Sequence, residues 1–352
     1  MPPALTRYAT TSDGVNIAYV RVGDGDPVVF SSNFGGDVHN HRAAGSEQKG
    51  LTDRLAALGW AVVRHDTRGM GASDRDVSDW RLEARVRDLE AVVAALGISR
   101  FALAGIDQGA PAAIAYAAKY PAAVSHLVLI CPWAHGESRY ALPALRVAMS
   151  SAANAGSAWE ILTNVIGNVV TQFADPERAQ RIAASIRESM SAEGLNAYFA
   201  ASRTMDVRDM LPRIAAPTLV IHEPSFPFGS YELCQEVASG IPNAHLIVVQ
   251  DGSVTGKSYD ETVPAIHGFL LRGGDADAHR APPPAGETEA ALTPREREVL
   301  RLIAAGCANK AIASALAMSE RTVARHITNL YAKIGTRSKA AATAYAIRHG
   351  LT

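Results

Sequence analysis

No stretch of 18 apolar residues occurs in this 352-residue chain, so nothing in it reads as a membrane-spanning helix. Cysteine is scarce: Cys131, Cys234 and Cys307 lie far apart and are odd in number. That excludes a disulfide framework, fits a reducing cytoplasm and makes the thiols core filler. The opening Met1-Pro2-Pro3-Ala4-Leu5-Thr6-Arg7 lacks a basic-then-apolar signal, so no secretory leader is expected. No group of Cys, His, Asp and Glu has metal-ligand spacing, and His39 and His41 read as polar loop surface. No metal or cofactor is expected. Net charge is also nearly absent, at −1, but it is unevenly divided. From Leu292 to Thr352 there are ten Lys/Arg and three Glu, giving +7, against 24 basic and 32 acidic residues upstream, giving −8. A basic end on an acidic body fits a nucleic-acid-binding tail domain.

What is present begins with Leu103-Ala104-Gly105-Ile106-Asp107-Gln108-Gly109-Ala110. A strand-like run precedes it and a helix-like run, Pro111 to Lys119, follows. Two glycines flanking a corner residue let the chain turn sharply and lift that residue above a sheet. The corner residue is Asp107, whose carboxylate can in principle form an ester intermediate. Around it, short strands alternate with helices. Val28-Val29-Phe30, Trp60 to His65, His126 to Ile130, Pro217 to His222 and His245 to Val249 read as buried strands. Leu82 to Leu96 reads as an amphipathic helix with Leu82, Val86, Leu89, Val93 and Leu96 on one stripe. This alternation predicts a doubly wound α/β sheet. Residues about 134–210 interrupt it with an Ala-rich, helix-like insertion. The segment Asp66-Thr67-Arg68-Gly69-Met70-Gly71-Ala72-Ser73 reads as a structural turn in which Asp66 and Arg68 tie the backbone.

The elbow, the Asp-x-Arg-Gly-x-Gly-x-Ser segment and the inserted helices together resemble the α/β-hydrolase fold with a helical cap. The resemblance implies a pocket between cap and elbow, where small ligands sit. It also implies a His-Gly loop after the third strand, an acid after the Pro217–His222 strand and a histidine after the last strand. Aligned on those positions, the chain has Ser32 and Asn33, then Phe226, then Val254. No histidine lies between His245 and His267. An elbow nucleophile works only with a histidine to move protons and an acid to orient it. The expected N-terminal domain is therefore a non-catalytic pocket lined by Ser32, Asn33, Phe34, Asp107, Gln108, Trp133, Phe226 and Val254. Asp107 there accepts hydrogen bonds from a ligand or is paired inside the protein; Trp133 stacks on a ligand or fills the interior. The alternative is an esterase or epoxide-hydrolase-like enzyme with Asp107 as nucleophile.

Residues 273–290 are rich in Gly and Pro and lack apolar periodicity, as in a flexible linker. Beyond them, Leu292-Thr293-Pro294-Arg295-Glu296-Arg297-Glu298-Val299-Leu300 starts a helix, with Thr293 as cap and Pro294 at the first helical position. Asn309-Lys310-Ala311-Ile312-Ala313 and Ser319-x-x-Thr322-Val323-x-x-His326 follow in order. These words resemble the LuxR-type (NarL/FixJ-like) helix-turn-helix, an all-α four-helix domain. The resemblance implies that Arg321 to Tyr331 enter the major groove. Asn309, Lys310, Thr322 and Lys333 then hold phosphates, with Arg321 beginning the recognition helix. Ala324, Arg325, Thr328 and Asn329 face base edges, and Arg325 suits guanine. Val299, Leu302, Ile303, Ile312, Leu316, Val323, Ile327 and Leu330 form the expected core. The expected whole is a cytoplasmic homodimeric regulator of double-stranded DNA, with a small-molecule effector domain at 1–272, a linker at 273–290 and a DNA-binding domain at 291–352.

Overall fold

The computed structural model describes residues 5–31, 38, 47–146, 159–250, 258–272, 294–304, 309–316, 318, 323, 327 and 330. The chain divides into two compact units, Met1–Asp275 and Ala276–Thr352. In the first, eight strands form one sheet: β1 (Arg7–Thr10), β2 (Asn16–Val22), β3 (Pro27–Ser31), β4 (Ala61–His65), β5 (Phe101–Ile106), β6 (Val124–Ile130), β7 (Thr218–His222) and β8 (Ala244–Val248). Their spatial order is β1-β2-β4-β3-β5-β6-β7-β8. The β1–β2 and β2–β4 pairs are antiparallel, and all others are parallel.

The central strands are largely apolar because both sheet faces are covered, with Arg64 and His65 in β4 and Ser125 and His126 in β6 among the exceptions. Side chains alternate between two cores. Phe30, Ala104, Ile106, Val128, Ile130 and Ile221 enter one, and Val29, Leu103, Leu127, Leu129 and Val220 enter the other. Helices α1 (Glu47–Ala57) and α9 (Thr262–Leu271) contribute to the first core. Helices α2 (Leu82–Leu96), α3 (Ala110–Lys119) and α8 (Tyr231–Gly240) contribute to the second. Leu82, Val86, Leu89 and Val93 are buried as their spacing predicts, and Leu96 packs at the margin. Between β6 and β7 the chain forms helices α4 (Gly136–Tyr140), α5 (Trp159–Val170), α6 (Pro176–Ser189) and α7 (Ala192–Arg203). They are the expected insertion.

The turn after β4 is structural. The Asp66 carboxylate accepts the backbone N–H groups of Val38 and Ala72. Arg68 pairs with Asp88 of α2 and with Asp13 of the β1–β2 turn. Arg87 extends this network by bonding both Asp13 and Asp79. Hydrogen bonds from Arg68 hold the Asp13 carboxyl well below the ordinary aspartate range, and those from Arg81 do the same for Asp79. A depressed carboxyl stabilises the fold above its unfolded pKa, and that contribution is lost as the pH falls toward the folded value. Asp13→Asn will thus lower the urea midpoint at pH 7, and the variant and unaltered midpoints will converge as the pH drops below about 4. A constant gap from pH 7 to pH 2.5 assigns the loss to packing instead.

In the second unit, α10 (Pro294–Ala304) and α11 (Asn309–Ala315) enclose Val299, Leu300, Ile303, Ile312, Ala313, Val323 and Leu330. Leu302, Leu316 and Ile327 pack against them. Every core position expected from the spacing is thus in or against this cluster. The segment 273–290 lies outside the described residues.

Candidate functional site

Strand β5 runs straight into a tight turn, Asp107–Gly109, and then into α3. A side chain at Gly105 would put its Cβ 2.9 Å from both Ala110 Cα and Ala113 Cβ, so only glycine lets strand and helix approach this closely. Asp107 takes φ +43°, in the left-handed region. That conformation costs a non-glycine residue about 1–2 kcal/mol, and such strain persists only where the surroundings over-determine it.

What faces Asp107 is an arginine. Arg139 Nε donates to Asp107 Oδ1 at 2.9 Å, and Arg139 Nη2 donates to Asp107 Oδ2 at 2.8 Å. Both side chains are almost fully buried. Burial pushes the Asp107 carboxyl up from its ordinary value, while the Arg139 charge and hydrogen bonds pull it back toward ionisation. The Trp133 indole N–H also favours the ionised form, without reaching hydrogen-bond geometry. Asp107 is thus paired inside the protein, with Arg139. Trp133 likewise is interior, 1% exposed, beneath the Arg139 guanidinium.

Arg139 is fixed by the placement of α4. A Cβ on Gly136 would lie 2.3 Å from the Ser202 carbonyl oxygen and 2.4 Å from that of Arg203, so α4 abuts α7 backbone to backbone. Gly136 N–H also donates to Met205 O at 2.8 Å. Beside the ion pair, Gln108 Nε2 donates to the Tyr140 hydroxyl at 3.3 Å. Tyr140 meets Phe199 edge-on, Phe199 meets Tyr198, and Arg85 lies over the Tyr198 ring. Asp107, Gln108 and Trp133 are therefore together. Arg139, Tyr140, Tyr198 and Arg85 complete the cluster and were not among the residues the sequence pointed to.

Phe226 is buried in the loop after β7, edge-on to Phe228 at 5.8 Å. The acid in this loop is Glu223, fully buried three residues earlier, which accepts from Ser225 Oγ at 2.6 Å. Cys131 and Cys234 are buried and free; burial drives the Cys131 thiol far up and the Cys234 thiol to about 12. Among the described histidines (His65, His126, His135, His222, His245 and His267) none is hydrogen-bonded to Asp107. His65 is buried and pushed down to about 4 by desolvation. His267 accepts from Trp60 Nε1 at 3.0 Å, and His222 Nδ1 lies 3.7 Å from Cys234 Sγ. Ser32, Asn33, Phe34 and Val254 lie outside the described residues. So do Arg321, Thr322, Ala324, Arg325, Thr328, Asn329 and Lys333. Asn309 and Lys310 begin α11, but their side chains are outside those described.

Comparison with known proteins matches residues 26–253 to the family model "alpha/beta hydrolase fold" and residues 290–346 to "Bacterial regulatory proteins, luxR family". Over 249 residues the chain is 24% identical to the AB hydrolase superfamily protein YisY of Bacillus subtilis, covering 69% of this chain and 90% of that one. Over 52 residues it is 54% identical to the nitrate/nitrite response regulator protein NarP of Escherichia coli, 15% of this chain and 24% of that one. The chain spans only 7% to 28% of the length of the bacterial regulators it matches. A bromoperoxidase from Bacillus anthracis shares the fold, with a TM-score of 0.65 and 18% identity over 76% of this chain and all of that one. No helix among the described residues is long and apolar enough to cross a membrane.

Proposed function

We propose, for a chain that belongs to the α/β-hydrolase fold family and ends in a LuxR-type helix-turn-helix, a transcription regulator that reads the occupancy of a non-catalytic pocket. The observation that carries this reading is the bidentate Arg139–Asp107 pair. A carboxylate engaged through both oxygens by a buried guanidinium has its charge neutralised and its orientation fixed, which makes it a poor nucleophile. Attack on an ester or epoxide would strand the Arg139 charge in the interior, which costs several kcal/mol. Without a proton-carrying histidine, an ester formed on Asp107 would also have no base to drive its hydrolysis. A small effector bound under the cap shifts the balance between two arrangements of the protein. It does so only by its difference in affinity for them, and DNA binding by the C-terminal domain follows. The protein acts as a homodimer on paired half-sites.

Hydrolysis assays decide between occupancy and turnover. The full chain, offered p-nitrophenyl acetate, p-nitrophenyl butyrate and styrene oxide, is expected to show no steady hydrolysis above the buffer rate. Sustained turnover that disappears in Asp107→Asn would overturn the non-catalytic reading and restore the enzyme.

A further inference from the structure

The buried cluster beside the elbow has a guanidinium at each end of a series of rings. Arg139 lies 5.5 Å from the Trp133 ring and 5.3 Å from that of Tyr140. Tyr140 and Phe199 are 6.1 Å apart edge-on, Phe199 and Tyr198 are 6.0 Å apart, and Arg85 sits 3.9 Å above Tyr198. Both guanidinium charges act on the Tyr140 and Tyr198 phenols.

The charges in this cluster do not balance. Asp107 compensates Arg139. Arg85 is 5% exposed and has no carboxylate partner among the described residues; its Nη2 donates to the neutral Ser202 Oγ at 2.8 Å. Glu223, buried after β7, is bonded to Ser225, and Asp66, buried after β4, accepts from Val38 and Ala72. The hydrogen bonds do not balance either. Among the described residues of the cluster, Arg85 Nε, Arg85 Nη1, Arg139 Nη1 and Trp133 Nε1 are buried donors without an acceptor, against a single unpartnered acceptor, Gln108 Oε1. These four side chains are all more than nine-tenths buried. In Arg139 the edge bearing Nε and Nη2 holds Asp107, so Nη1 belongs to the other edge and remains to bond something else. Water can satisfy donors, but it leaves the Arg85 charge uncompensated. An acceptor-only group with one negative charge satisfies both, and the adjoining rings suit an apolar body.

Resting on the occupancy reading above, we propose that the effector is a small aromatic monocarboxylate, its carboxylate held by Arg85 and its ring among Tyr140, Tyr198 and Phe199. The test uses the full chain and matched pairs: benzoate with benzamide, phenylacetate with phenylacetamide, 3-phenylpropionate with its amide. Calorimetric titration is expected to find at least one acid binding roughly 10- to 150-fold more tightly than its amide, the difference a charge-assisted hydrogen bond makes. Arg85→Gln is expected to erase that preference. Amides that bind as well as acids, no binding by any acid, or an acid preference intact in Arg85→Gln each overturn the assignment. The acid–amide comparison in the unaltered chain stands even if the variant does not fold. Titrating a DNA duplex in parallel separates the two claims. A bound acid that leaves DNA affinity unchanged keeps the anion site and removes the regulatory reading. A bound amide that alters DNA affinity does the reverse.

Discussion

Arg139→Met will destabilise the Met1–Asp275 unit by about 3–5 kcal/mol, because it leaves the Asp107 carboxylate buried without a cation. For a domain of this size that corresponds to a fall in Tm of roughly 6–20 °C. The loss will depend on pH. Freed from Arg139, the Asp107 carboxyl is raised by desolvation, its largest influence, against only the smaller opposing effects of the Gln108 backbone and Trp133. A carboxyl with a raised folded pKa loses stability as the pH climbs through that range. The variant is therefore expected to be weaker at pH 8 than at pH 5 relative to the unaltered chain. Replacing both partners, Asp107→Leu with Arg139→Met, removes charge and desolvation cost together and should recover most of the loss. Urea denaturation of both single variants and the double variant at the two pH values measures the coupling. A cost below about 1 kcal/mol for Arg139→Met would mean that the pair is solvated and that Asp107 is available to a ligand or substrate after all.

Loss of sequence discrimination in Arg325→Ala is the second large effect expected. A bidentate arginine–guanine contact contributes about 1–3 kcal/mol of discrimination, roughly 5- to 150-fold in affinity. The loss should appear on a duplex obtained by selection and vanish on a scrambled one. Lys310→Ala should behave oppositely, weakening both duplexes alike and reducing the salt slope by about 1, as loss of a phosphate contact does. Fluorescence anisotropy at two salt concentrations distinguishes them. Should neither substitution change binding, the assignment of the recognition helix by its resemblance to LuxR-type domains is wrong.

Where burial follows a period, the sequence was sufficient. The α2 stripe and the α10–α11 core are legible because apolar residues repeat at helical spacing. The sheet is legible because its central strands are short apolar runs between turns, and the elbow because glycines flank one residue. The cluster around Asp107 was not legible. Arg139 is 32 residues from its partner, in a segment of cap whose periodicity is weak. Arginine is also a residue type that ordinarily stays at the surface. Arg85 lies beside the α2 stripe, where amphipathic reasoning puts solvent; in the fold, Tyr198 of the cap covers it. Glu223 was passed over because alignment by family register pointed to Phe226. A missing histidine can be read from a sequence, but the group that takes up the space and charge beside the elbow cannot.

The buried pair also constrains how this scaffold can be rewritten. Asp107→Ser alone would recreate the residue a serine hydrolase carries at its elbow, yet it would leave the Arg139 guanidinium enclosed without its counter-ion. Changing Arg139 first strands the carboxylate. Each order passes through an intermediate with one buried charge uncompensated, so the two positions form a ratchet: neither can be exchanged alone without cost.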